Sequence, residues 1–275
     1  MIRAGSLLAA VVLLAGCSEA VQDPAQPADS GLAASAAQTR EDIAAGNLFQ
    51  VRLENIGENP LTVTSVQLLS PGFEQVPASP ADADYEPGAV INLPAAFGPV
   101  VCGSGVEPLR VRISLANDDG AQQVTLPLDS SDGLMERIHG KACTLEELAR
   151  HVGVTLGALR PRADGTPAVE GLLRVERRSS AEAIAVDSGA GSVLYDVVVT
   201  PAELPADQSA VEVLVSITSR TCSGHSLGEA KQPYRFHVYL RVGQGASLGV
   251  PIQVDEENRA TLQQLIARAC PVLTP

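Results

Sequence analysis

The chain has no tryptophan, and aromatic residues make up only 3% of its 275 positions. Surfaces that hold sugars or single-stranded nucleic acid stack their ligands on aromatic rings, so both classes are disfavoured. Basic residues are also scarce. Nineteen lysines and arginines against 32 aspartates and glutamates leave a net charge of −13, a sign that repels nucleic acid and anionic headgroups. Lysine is nearly missing, with only Lys141 and Lys231, a bias that reads as a GC-rich genome. With two methionines, four histidines and no Cys-x-x-Cys, the sequence spells out no metal cluster and no cofactor is expected. Past the N-terminus nothing approaches the ~18 consecutive apolar residues of a membrane-spanning helix.

What is present begins with an export signal. Met1-Ile2-Arg3 is a short positive head, the run from Leu7 to Ala15 is apolar, and Leu14-Ala15-Gly16-Cys17 is a small-residue exit. That layout is a signal peptide over residues 1–16. The Leu-Ala-Gly-Cys ending resembles the lipobox of bacterial lipoproteins. The resemblance implies diacylation of Cys17 on sulfur, cleavage before it, and a protein held by lipid on the extracytoplasmic side of the cell membrane. Ser18 is compatible with outer-membrane sorting in a two-membrane cell. With 45% hydrophobic residues and mean hydropathy +0.13, the rest can fill a core.

Residues 17–46 are rich in Ser, Ala, Gln, Asp and Pro without lasting periodicity, and read as a flexible tether with at most a helical turn or two over 33–45. From Leu48 the texture changes. Phe49, Val51 and Leu53 alternate with polar residues, as do Leu61 and Val63 after the Asn55–Pro60 turn. Leu109–Leu115 and Val124, Leu126 and Leu128 flank Asn117-Asp118-Asp119-Gly120 as a β-hairpin. Leu134, Met135, Ile138 and Ala142 then recur at helical spacing, predicting a short helix that ends at Cys143.

Residues 148–275 repeat the plan of residues 47–147. Leu172–Val175 answers Phe49–Val51, and the run from Ile184 answers that from Leu61. Val211–Ile217 leads to Cys222 as the segment around Val100 leads to Cys102. Tyr234–Val242 and Leu248–Val254 form a second hairpin, and Leu262, Leu265 and Ile266 mark a helix ending at Cys270. Four cysteines in an exported chain predict two disulfides, and the repeat makes Cys102–Cys143 with Cys222–Cys270 the simplest pairing. The expected fold is all-β, two tandem Ig-like β-sandwich domains, each closed by a short helix tied back through its disulfide.

Asn55-x-Gly57-x-x-Pro60-Leu61 is similar to bacterial immunoglobulin-like modules, although the core tryptophan of true immunoglobulin domains is missing. The lipobox, the paired-cysteine repeat and Arg220-Thr221-Cys222-Ser223-Gly224-His225 followed by Glu229 and Lys231 together resemble uncharacterised two-domain lipoproteins of high-GC Gram-positive bacteria. That family carries Arg-Cys-Asp-x-His and then Glu-x-Lys here, and Ser223 stands in place of the aspartate. The resemblance implies an address and an architecture, and no activity.

Gly224-His225-Ser226-Leu227-Gly228 matches the nucleophile elbow of esterases, which would make Ser226 a nucleophile. The elbow needs a helix after the serine and then an acid followed by a histidine. Pro233 limits the helix, and His237 precedes Asp255. Cys222-x-x-His225 with His237 nearby offers a copper or zinc site only if Cys222 is unpaired. Thr144–Val154 looks like the first half of a helix-turn-helix, but the chain is acidic, so Thr144 and Glu147 read as a capping box on a second short helix. His139 and His151 fall at helix edges. The acidic clusters at 117–120, 129–132 and 255–258 lack calcium-loop spacing and suit a turn and two helix starts. No catalytic, metal or cofactor residue is therefore assigned. The reading is a non-enzymatic envelope module whose partners are the membrane, through Cys17, and another envelope protein, with no nucleic acid.

Overall fold

The structure is a computed structural model and describes residues 31–117 and 120–270. The signal peptide, Cys17 and the tether up to residue 30 lie outside the described residues. The first segment is β1 (Leu32–Ala37), α1 (Arg40–Ala45), β2 (Leu48–Asn55), β3 (Leu61–Leu69), β4 (Ser79–Tyr85), β5 (Val90–Ala96), β6 (Arg110–Asn117), β7 (Gly120–Pro127) and α2 (Leu134–His151). There follow β8 (Val152–Leu156), β9 (Arg160–Pro161), β10 (Ala168–Arg177), β11 (Ile184–Ala190), β12 (Tyr195–Val199), β13 (Ala202–Leu204), β14 (Ala210–Ser219), α3 (Gly224–Glu229), β15 (Phe236–Val242), β16 (Leu248–Ile252) and α4 (Glu256–Ala269). The protein is mostly β, in four antiparallel sheets.

The sheets run β1-β2-β5 and β4-β3-β6-β7, then β12-β14-β10-β8 and β13-β11-β15-β16, with β9 on β10. The pairing β2–β5 and β3–β6–β7 recurs as β10–β14 and β11–β15–β16. Alternation dictates which side chains turn inward. Phe49, Val51 and Leu53 are buried in β2, as are Leu173 and Val175 in β10. In β3 the register shifts between Val63 and Ser65, so Val63 and Val66, three residues apart, both point inward. A bulge inserts the extra residue that strict alternation omits.

The buried side chains form two clusters. One gathers residues from Leu32 to Met135, the other from Leu148 to Leu265. Each is anchored by a fully buried tyrosine. Tyr85 donates to Ile91 O at 3.3 Å and Tyr195 to Leu262 O at 3.0 Å. Burial pushes the Tyr85 phenol up to about 12 and raises Tyr195 further, so both hydroxyls stay protonated donors. Each cluster also holds one buried asparagine, Asn55 or Asn258.

Two expectations fail. The stretch read as tether is structured from Leu32 on: the whole of β1 pairs with Gln50–Asn55 of β2, and Ala36 N donates to Asp129 O at 2.8 Å. Alanines have little strand preference of their own, and the hydrophobic edge of β2 supplies what propensity does not. Thr39 and Asp42 form a capping box for α1, and Gly46 ends it in the left-handed region at φ 89, as glycine permits. The second failure concerns the helix expected to stop at Cys143. It runs on as one 18-residue element to His151, about 27 Å long. Thr144 caps nothing; its hydroxyl donates back to Gly140 O at 2.8 Å. Ala142, Leu145 and Leu148 are strong helix formers and no proline interrupts them. Because Met135 belongs to the first cluster and Leu148 to the second, one rigid helix joins both cores.

The disulfides are Cys102–Cys143 and Cys222–Cys270. The first ties the loop after β5 to the middle of α2; the second ties the loop after β14 to the C-cap of α4. Among the described residues no helix is long and apolar enough to cross a membrane.

Candidate functional site

Ser226 lies inside α3, a six-residue helix that starts at Gly224. The preceding strand, β14, ends at Ser219. A nucleophile elbow holds its serine on the tight turn between strand and helix, so that backbone N–H groups surround the attacking oxygen. Here a disulfide-linked loop separates the two elements, and the serine occupies the body of the helix.

Cys222 is bonded to Cys270 and lends no thiolate to a metal. Among the described residues, no group of three or more His, Cys, Asp or Glu side chains is gathered to hold a metal ion. His139 lies edge-on to Phe73, centroids 5.6 Å apart, with Nε2 3.3 Å from Val101 O. His151 bridges Glu147 and Ser179, each at 3.0 Å. Both are held by local contacts, His139 in mid-helix and His151 as the last residue of α2. Directly after it comes β8, so the helix-turn-helix pattern has no second helix.

Of the acidic clusters, Asp255 caps α4 by accepting from Asn258 N at 2.8 Å, and Asp132 accepts from Leu134 N at 3.0 Å at the start of α2. The hairpin turn at 118–119 lies outside the described residues.

The strongest surface feature is one that motif reading passes over. On the sheet β12-β14-β10-β8, Val213, Val215 and Ile217 of β14 point into the core, so Leu214 faces out. Its direct cross-strand partner is Leu172 of β10, also outward. Val198 of β12 pairs with Ser216, two residues along the same face. Leu214 is 45% exposed, Leu172 48% and Val198 65%. Around this apolar centre lie charged pairs: Arg174 with Glu212 at 3.7 Å, and Arg220 with Asp196 at 3.6 Å. An apolar centre within a polar rim is the anatomy of a protein-binding surface. The signal in the sequence was doubled apolar residues, Leu172-Leu173 and Val197-Val198-Val199, where alternation demands a polar one.

No protein-family model matches the chain, and no curated protein matches it either.

Proposed function

We propose that this protein is a lipid-anchored, extracytoplasmic module of the cell envelope, non-catalytic, built from two Ig-like sandwiches and docking another envelope protein. The observation that carries the docking is the exposed Leu172–Leu214–Val198 patch with its charged rim. The Ig-like reading draws support from seven strands in paired antiparallel sheets before α2, where β2 meets β5 and β3 meets β6 across long connections, a Greek-key arrangement. Its recurrence after α2 supports a tandem duplication. The single helix through both cores makes the pair a rigid spacer, which suits a module that presents a surface at a set height above a membrane.

The test is crosslinking in cells that express the full chain, beside Cys17→Ala, Leu172→Glu and Leu214→Glu variants. A discrete protein partner, lost in the two patch variants while their thermal unfolding matches the parent, is the expected result. Absence of any partner above the Cys17→Ala control refutes the reading.

A further inference from the structure

Where the two cores meet, α1 and the segment leading into β15 border an open cleft of about 750 Å³. Arg40 and Glu41 line it from α1, and Lys231, Arg235 and His237 from the other side. Lys141 on α2 is near enough to His237 to act on it electrostatically. Two arginines and Lys231 thus line one cleft, with Lys141 within electrostatic reach of its His237, in a protein whose net charge is −13.

Among the described residues the cations there have no carboxylate partner: Arg40, Lys141, Lys231 and Arg235 form no ion pair, whereas Arg137, Arg162, Arg174 and Arg241 each have a carboxylate. Among the described side chains Glu41 is the one acid lining the cleft. Arg235 is also fixed in place: its Nη1 donates to Gln232 Oε1 at 2.8 Å and to Ile43 O at 3.3 Å, and Gln232 in turn donates to Ala44 O. These bonds stitch the cleft's two walls together and aim a preorganised guanidinium into it.

We propose that this cleft binds a phosphate-type dianion, with Arg40, Lys231 and Arg235 as its charged donors. A guanidinium offers parallel N–H donors that match two oxygens of a tetrahedral anion, and lysine adds a point charge. His237 adds a proton-linked element. Burial, then Arg235, then Lys141 hold its imidazole below the ordinary range and therefore neutral at pH 7. The charged groups around it are Arg235 and Lys231 beside its strand, Arg40 and Glu41 on α1, and Lys141 on α2. Its cross-strand neighbours, Ala190 and Pro251, carry no charge. A bound dianion offsets the repulsion from Arg235 and Lys141, though not the effect of burial, so binding raises the proton affinity of His237 and is favoured as pH falls.

The experiment uses the full chain carrying Cys17→Ser, disulfides formed, so that no lipid of its own contributes. Equilibrium dialysis with labelled inorganic phosphate should show one saturable site. Arg40→Gln and Lys231→Gln, whose side chains hold no part of the fold, should each weaken it by about tenfold, and Glu41→Gln should tighten it. Sulfate, which keeps its charge throughout, should bind more tightly near pH 5.5 than near pH 8. A second arm separates the sources of phosphate: flotation with phosphatidylcholine vesicles with or without phosphatidic acid. Capture only by the phosphatidic acid vesicles, abolished by Lys231→Gln, assigns the site to a lipid headgroup; binding of free phosphate alone assigns it to a soluble ligand. No binding in either arm, or binding indifferent to Arg40→Gln and Lys231→Gln, overturns the proposal.

Discussion

Asn258 offers the sharpest test of how the second core is held. Its side chain is buried at the N-terminus of α4, where Oδ1 accepts from Leu159 N at 2.7 Å and Nδ2 donates to Gly157 O at 3.2 Å. Both partners lie in the loop that follows β8, so one amide fastens that loop to the helix. Asn258→Ala removes both bonds, leaves the buried Leu159 N–H without a protein partner, and turns the carbonyl of the exposed Gly157 to water. Orphaning the buried N–H costs about 1–2 kcal/mol, exchanging the Gly157 bond for water about 0.5–1 kcal/mol, and the better helix propensity of alanine returns about 0.5 kcal/mol. The net loss is about 2 kcal/mol, equivalent to a fall in Tm of roughly 4–8 °C for a unit of this size. Asn258→Asp keeps the acceptor and loses the donor, and should fall between. Calorimetry with urea unfolding followed by circular dichroism measures both variants. If Asn258→Ala stays within about 0.5 kcal/mol of the parent, below any figure expected for an orphaned buried N–H, the amide does not tie the loop to α4.

Replacing both cysteines of either disulfide by serine should cost about 4 kcal/mol, because the closed loops span 41 and 48 residues and the chain-entropy term varies slowly with length. Denaturant midpoints of the two double variants would check this, and a large inequality between them would count against the entropic account. Stability should also fall as acid is added just below neutrality, through His237. Its folded-state proton affinity lies below the ordinary 6.5, so as pH drops through 6.5 the unfolded chain takes up the proton first and gains population. The contribution is fully present above 6.5 and is lost between that value and the lower folded one. His237→Gln should flatten that part of the pH–stability curve; an unchanged slope would show that another group is responsible.

Much of the fold is legible in the order of residues, for a local reason. Alternation of Phe49, Val51 and Leu53, or of Val213, Val215 and Ile217, states which face of a strand is apolar, and that face must be buried. The even cysteine count and the repeated spacing likewise led to the pairing that the structure contains. Strand β1 was illegible because its alanines gain strand conformation only from the edge they meet. The continuation of α2 through Thr144 was hidden because Thr and Glu three apart look the same in a capping box and in the middle of a helix. Only the neighbouring backbone decides whether the hydroxyl accepts from an N–H ahead of it or donates to Gly140 behind it.

The two candidate surfaces divide in the same way. Leu172 and Leu214 are 42 positions apart in the numbering, and only the register of β10 on β14 makes them neighbours. Arg40 is nearly two hundred positions from Lys231 and Arg235, and nothing local marks the three as a group. Local patterning set strand faces, helix starts and cysteine number through short-range sterics and burial. Which charges share a cleft and which apolar side chains share an exposed face was decided by packing between distant segments, since charge and exposure are properties of the assembled surface.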